Sequence, residues 1–499
     1  MNRFYLLWFL IFFPSLANSQ INKFNNIWIS GGNGQVLDFT FNPINQYMLG
    51  AFPGIDLYGN SNICDSSGDL LIITNGFSVV NKKKQIISNG DLIVNQAVID
   101  SLFFDSGLDQ AAIILPKVNN TYYIFTPTVS ASEIYRSWLN PVIDSICFRY
   151  DELLYCIVDM NANNGDGLVT QKKIPLLQNT RDISITGMTA TKHANGTDWW
   201  LVIHSSGGNK MWSWQVTPDT VLGPNIQGFE TPHFDTLSGY GQGTFSKDGS
   251  KYFFINGFDQ FGFVADFDRC GGTFSNGKAI EIRKDTFVNV PLQAVAYDNQ
   301  GGFGCAFSPN NQFLYVSTGY AIKQLDLLDT NKLTQWHLVT GPIQYYNGEF
   351  KLLSLGVDDK LYIGNRDGAP VGINYIDKPN LKGAACDLKF LPTSVSFYSP
   401  PNNPNYALGM DSSICWPLSN VQFTMSNEQL KVYPNPAFSN VIIDVGELTK
   451  NNIYIINTAG QVLYNQIPKT VKTTIDVNQW ANGMYFVRYG SAVKRLVVE

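Results

Sequence analysis

Six short stretches of the sequence repeat one pattern, and that pattern leaves few folds open. They are "CDSSGDLLIITNG" from Cys64, "LPKVNNTYYIFTP" from Leu115, "TKHANGTDWWLVIH" from Thr191, "FSKDGSKYFFING" from Phe245, "FSPNNQFLYVSTG" from Phe307 and "LGVDDKLYIGN" from Leu355. Each sets a small or polar turn before apolar residues with partial alternation, the mark of a strand, a tight turn and a second strand. In most cases a third strand follows and ends near an aspartate: Asp159, Asp266, Asp326 and Asp377. An aspartate at a strand end can bond the turn backbone. The hairpins recur about every fifty residues, with one longer step between Leu115 and Thr191, a period that fits four-stranded β-propeller blades.

Six blades are visible in this way, and a seventh is expected to be split between the ends of the ring. "NIWISGGNGQVLDFTFNP" near Asn26 supplies its second and third strands, and "TSVSFY" at Thr393 to Tyr398 supplies the first. Such closure leaves no free sheet edge. The expected fold class is therefore all-β: a seven-bladed β-propeller over 20–418, a linker at 419–428 and a small Ig-like β-sandwich over 429–499.

Composition supports strands and turns over helices. Charged residues make up 15%, against about 25% in an average globular chain. The net charge of −6 is spread without long blocks, so no nucleic-acid footprint is seen; the cluster Lys82-Lys83-Lys84 reads as a solvated turn. Arg3, the apolar Phe4 to Phe13 and the small pair Ala17 and Ser19 form a signal peptide over 1–19. No later apolar run is long enough for a transmembrane segment. There are seven cysteines, an odd number, so at least one is free or pairs between chains. Cys147 and Cys156 could face each other across a hairpin, although most of the seven read as small buried hydrophobes.

Two resemblances sharpen this reading. "NNIWISGGNGQVLDF", "TATKHANGTDWWLVIH", "GCAFSPNNQFLYV" and "KPNLKGAACD" resemble segments of large exported propeller proteins of the Bacteroidetes. The C-terminal order is "KVYPNPAFSN", an AGQ turn, "WANGMYFVR" and a basic-apolar end. It resembles the type A C-terminal sorting domain of the type IX secretion system, with Ala459 as a small departure. The resemblance implies handling by the type IX secretion machinery and delivery to the extracellular space or the outer-membrane surface. Tyr433, Pro434, Asn435, Pro436, Asn482 and Gly483 carry the sorting motif. Pro434 and Pro436 fix two φ angles, and Asn482-Gly483 is expected to make a tight turn before a strand.

Catalytic motifs are scarce. The sequence has no HExxH, GxSxG or phosphate-binding loop. His193 and His204 flank one hairpin, where structural roles outnumber metal pairs. Asp159 to Gly167 partly matches a calcium loop, but Asn164 and Thr170 stand where glycine and glutamate belong, so no cofactor is expected and calcium is the alternative. Strand-end acids such as Asp266, Asp268, Asp326 and Asp377 are candidates for hydrolysis only if blades bring them together. The longest connection, Thr126 to Ser145, carries Tyr135, Arg136 and Trp138, which could bind a sugar ring or a peptide. Asp259, Tyr320 and Arg366 are expected on comparable loops, and Asp144-Ser145-Ile146 resembles a short O-glycosylation signal. The first functional reading is a surface or secreted propeller that binds a glycan or protein ligand. The alternative is a carbohydrate-active or peptide-cleaving enzyme on the same scaffold.

Overall fold

A computed structural model describes residues 23–499, apart from 54, 56, 58, 97–109, 140–149, 185, 231–240, 257–260, 283–302, 319–320, 330–334, 341–349, 366–371, 393–396, 412–429, 449–451, 458–461 and 490–491. The expected signal peptide and linker and the Asp144-Ser145-Ile146 stretch lie outside the described residues. The chain divides into two compact units, the first ending at Trp416 and the second beginning at Pro417.

The described residues of the first unit form seven sheets, each a blade made of consecutive antiparallel strands. Among these residues blades 3 to 7 have four strands and blades 1 and 2 have three. The first strands of blades 2 to 7 are Ser61–Cys64, Ile113–Pro116, Thr189–Lys192, Gly241–Phe245, Gly304–Phe307 and Phe350–Leu355. Blade 1 holds Ile27–Ser30, Gln35–Asp38 and Asn45–Met48. Its remaining position is filled from the far end of the ring. Asn365 N donates to Phe397 O at 3.1 Å, and Ser399 N donates to Ser30 Oγ at 3.0 Å. Phe397 to Ser399 therefore lie between blade 7 and Ile27–Ser30; Thr393 to Ser396 lie outside the described residues.

The hairpin turns explain the sequence pattern. In blade 5, Gly249 N donates to Ser246 O at 2.8 Å and Gly249 has φ +73°. A left-handed residue after a type I turn is the standard way to match strand twist. Asn311 at φ +59° and Asp359 at φ +64° hold the same place in blades 6 and 7. Short polar side chains tolerate that conformation better than branched ones. Strand-end aspartates cap the neighbouring turns: Asp159 Oδ1 accepts from Asn161 N at 2.9 Å, and Asp268 Oδ1 from Cys270 N at 2.8 Å.

The core runs between blades as interleaved aromatic and aliphatic side chains. Tyr252, Phe254, Phe263, Phe267 and Phe274 join Trp200 in one such layer. Cys64, Cys156, Cys305 and Cys386 are buried and free, as small hydrophobes should be. Cys156 is thus not paired with Cys147, which lies outside the described residues. Cys270 is disulfide-bonded.

The second unit is a two-sheet sandwich. Lys431–Tyr433, Asn440–Asp444 and Lys472–Asp476 form one sheet; Val462–Gln466, Ile453–Asn457, Gly483–Tyr489 and Ala492–Val498 form the other. Val441, Ile443, Ile455, Val487 and Leu496 fill the space between them.

Candidate functional site

The inner strands do not leave an open axis. The segment after blade 7 crosses it and bonds to blade after blade. Asn402 Nδ2 donates to Ala112 O and to Met188 O, each at 2.9 Å, from blades 3 and 4. Gln110 Nε2 donates to Asn402 Oδ1 at 3.1 Å and to Gly243 O at 2.9 Å, and Gln110 Oε1 accepts from Gly243 N at 2.8 Å. Gln242 continues the chain of amides: its Oε1 accepts from Cys305 N and Leu353 N, and its Nε2 donates to Leu353 O. Asn403 Oδ1 accepts from Ser61 Oγ and Asn62 N in blade 2. All three hub residues, Gln110, Gln242 and Asn402, are buried. Buried amides carry a heavy desolvation cost unless every donor and acceptor is met. Here each one replaces water on backbone groups that face the axis.

Above this plug, on the face that carries the first hairpin turns, lies a cavity of about 720 Å³. That volume falls in the range of ligand sites. Its walls come from different blades. Phe39 packs against Trp28 and Tyr362 at 4.9 and 5.4 Å, and Phe245 packs against Tyr252 and Phe267 at 5.1 and 5.0 Å. Phe307, Leu355 and Val357 add apolar surface. The aromatic walls are held in place by the rings behind them, so they present fixed faces. At the rim Lys247 Nζ meets Asp359 Oδ1 at 2.5 Å, and Lys247 N donates to Asn311 Oδ1 at 3.2 Å. The turns of blades 5, 6 and 7 are thereby tied together. Asn405 Nδ2 donates to Lys247 O at 2.8 Å, bringing the closing segment to the same rim. Just beyond Thr191 of the wall, Lys192 Nζ sits 4.2 Å from the centre of the Trp199 ring, and burial pushes its pKa down to about 8, with Asp198 opposing.

Of the residues expected from sequence to bind ligand, the three that are described lie elsewhere. Tyr135, Arg136 and Trp138 belong to a connection between second and third strands, at the opposite end of the sheet from the first hairpins. That connection is not a plain loop: it contains helix α1, Ala131–Leu139. Ser130 Oγ accepts from Glu133 N at 3.1 Å, a capping interaction that starts the helix. Ser130 is itself fixed by Asp151, through Oδ1 to its N–H and Oδ2 to its hydroxyl, each at 2.7 Å. Arg136 turns inward to the buried Glu133, which Arg181 Nη2 also reaches at 3.0 Å. Arg136 is therefore engaged with the fold. Tyr135 is 63% exposed and stands on the surface. Trp138 lies in the helix; Asp259, Tyr320 and Arg366 lie outside the described residues.

Other sequence candidates are dispersed. His193 stacks on Trp200 at 5.5 Å, whereas the fully buried His204 stacks on Phe254 at 3.9 Å. Asp266 is engaged by Lys251 and Asn276, and Asp377 by Lys389 and Lys360. The Lys389 and Lys360 bonds hold the Asp377 carboxyl below its ordinary range. In the Asp159 to Gly167 turn, Asn163 Nδ2 donates to Gly167 O at 2.8 Å, and Asp166 pairs with Lys83 at 2.5 Å. Among the described residues no group of three or more metal-ligating side chains is assembled. Sequence reasoning missed the funnel because its lining is contributed a residue or two at a time by separate blades. The one available signal was the turn set Lys247, Asn311 and Asp359.

In the second unit the sorting motif has a defined job. Asn435 Nδ2 donates to Arg495 O at 2.7 Å, and Asn435 Oδ1 accepts from Val497 N at 2.8 Å. The asparagine between the two prolines thus clasps the last strand. Asn482 sits at a bend and Gly483 already begins the strand, so the tight turn expected at Asn482-Gly483 is replaced by one closed from Trp480 N to Val477 O at 2.9 Å.

Residues 431–499 match the family described as the secretion system C-terminal sorting domain. The second unit is a type IX sorting tail. Export to the cell surface or the extracellular space follows. Among the described residues no helix is long and apolar enough to cross a membrane. No curated protein matches the chain. Several solved structures do. A protein from Lactobacillus plantarum is 11% identical, with 76% of this chain and 98% of that chain covered at a TM-score of 0.41. A candidate 6-phosphogluconolactonase from Bacteroides fragilis is 11% identical, with coverages of 78% and 99% and a TM-score of 0.43. The Dos1 propeller is 10% identical, with coverages of 71% and 78% and a TM-score of 0.32. The fold of this chain rests on its own strand pairing.

Proposed function

We propose that the chain is an exported binding protein: a propeller that holds a glycan or protein ligand at the cell surface or outside the cell, for adhesion or envelope organisation. The observation that carries this reading is the blind axial funnel, a cavity of about 720 Å³ with fixed aromatic walls. A rigid ring with a concave, mixed-polarity site suits recognition. The proposal includes the processing of the chain: leader 1–19 removed, propeller over 20–418, linker 419–428 and sorting domain over 429–499, handed to the type IX machinery. Affinity electrophoresis of the secreted protein through gels cast with polysaccharides tests it, together with crosslinking on intact cells. Retardation without clearing of the gel, or a specific crosslinked partner, is the expected result. A cleared zone would instead make it an enzyme.

A further inference from the structure

The funnel narrows the ligand further, resting on the binding reading above. Three features of its wall decide the chemistry.

Several of the backbone groups that face the axis are already taken. Asn402 occupies the carbonyls of Ala112 and Met188, Gln110 occupies both polar groups of Gly243, and Gln242 occupies both of Leu353. A peptide added as an extended strand draws its affinity from main-chain bonds of this kind. The chain's own amides leave it few to make at the funnel floor.

Charge in the wall is sparse. Lys247 is matched by Asp359 at the rim, and Lys23 adds a single cation whose ammonium lies 3.5 Å from the carbonyl of Ser67. A strongly anionic ligand would meet one lysine there and no cationic cluster.

What remains is apolar ring surface beside uncommitted polar groups. Asn26, Thr189 and Ser354 line the cavity from blades 1, 4 and 7, and among the described residues no side-chain hydrogen bond engages them. Phe39 and Phe245 are half-buried, each braced by two further rings. Aromatic ring surface next to hydroxyl and amide groups matches a ligand that is apolar on its ring faces and hydroxylated at its edges.

We propose that the funnel binds the end of a neutral oligosaccharide, with a sugar ring against Phe39 or Phe245 and its hydroxyls toward Asn26, Thr189 and Ser354. The probes are maltotriose, cellotriose, xylotriose and mannotriose, with trigalacturonic acid and a casein peptide digest as contrasts. Each is titrated calorimetrically into the secreted full-length protein. Val357 is a 46% exposed turn residue on the rim, so Val357→Trp fills the mouth without touching the core, and near-UV circular dichroism checks that the fold is kept. The expected result is binding of at least one neutral trisaccharide, weakened about tenfold or more by Val357→Trp and unchanged by Tyr135→Ala on the opposite side of the sheet. Binding of the acid or the peptides alone would overturn the sugar assignment while leaving the binding reading standing. Neutral-sugar binding that survives Val357→Trp would overturn the funnel as the site. Silence with every probe would overturn the proposal, and silence in the gels and crosslinks as well would remove the binding reading beneath it.

Discussion

The hairpin tips and the axis of the propeller are built on opposite principles. Each tip is local: a few consecutive residues close on themselves, as Ser246 to Gly249 do, and the same solution recurs blade by blade. The axis is the reverse. Gln110 and Asn402 meet across 292 residues of sequence, and Gln242 reaches Leu353 across 111. The tips are repeated and individually replaceable, whereas the hub is single and shared. Damage at the hub should therefore spread through the inner strands of several blades, and damage at a tip should stay within that tip and the turns it touches.

Asn402→Ala should have the largest effect. It strips the partners from two buried carbonyls and removes one acceptor from Gln110, which keeps its two bonds to Gly243. At about 1–3 kcal/mol for each group left unmet, the loss is roughly 3–5 kcal/mol, read from denaturant midpoints.

Gly249→Ala comes next. Its φ of +73° suits glycine, and an added Cβ would sit 2.4 Å from Thr191 Oγ1. The strain is about 1–2 kcal/mol. Asn311→Gly, at the equivalent place in the next blade, keeps the left-handed backbone and loses only the exposed bond from Lys247 N, so it should cost less, about 0.5–1 kcal/mol.

Asp377→Asn should have the smallest effect at neutral pH and a distinct pH signature. The folded pKa of Asp377 is depressed by Lys389 and Lys360. The stability it contributes is therefore present above the unfolded carboxylate pKa, near 4. It is lost as pH falls through the lower folded pKa. The variant should lie below the parent by a small, constant amount at neutral pH and converge on it as pH falls through the folded pKa, which flattens the acid limb of the stability-versus-pH curve. An equal loss at all pH values would point to packing instead.

This contrast also explains what was legible in the sequence. The left-handed tip residues are written into local pattern, since only glycine, asparagine and aspartate accept that backbone readily, and so the ring of blades could be read. The tail was equally legible, because "YPNP" and the last strand form one compact unit in which Asn435 has a fixed partner. The funnel and hub were not, because no local rule tells a buried glutamine at an axis from one on a surface. The helix of the Thr126 to Ser145 connection was missed although its signal, Ser130 three residues before Glu133, stands in the sequence. The aromatic residues of that stretch read as a binding loop, whereas Arg136 pairs with Glu133 within the helix.

Native-state hydrogen exchange on Asn402→Ala tests most directly whether three scattered amides hold the axis. The N–H of Gly243 reports on Gln110, and those of Cys305 and Leu353 report on Gln242. The account predicts faster exchange at Gly243 and in the inner strands of blades 3, 4 and 5, with the strands of the sorting tail unchanged. Inner-strand exchange identical to that of the parent chain would contradict it.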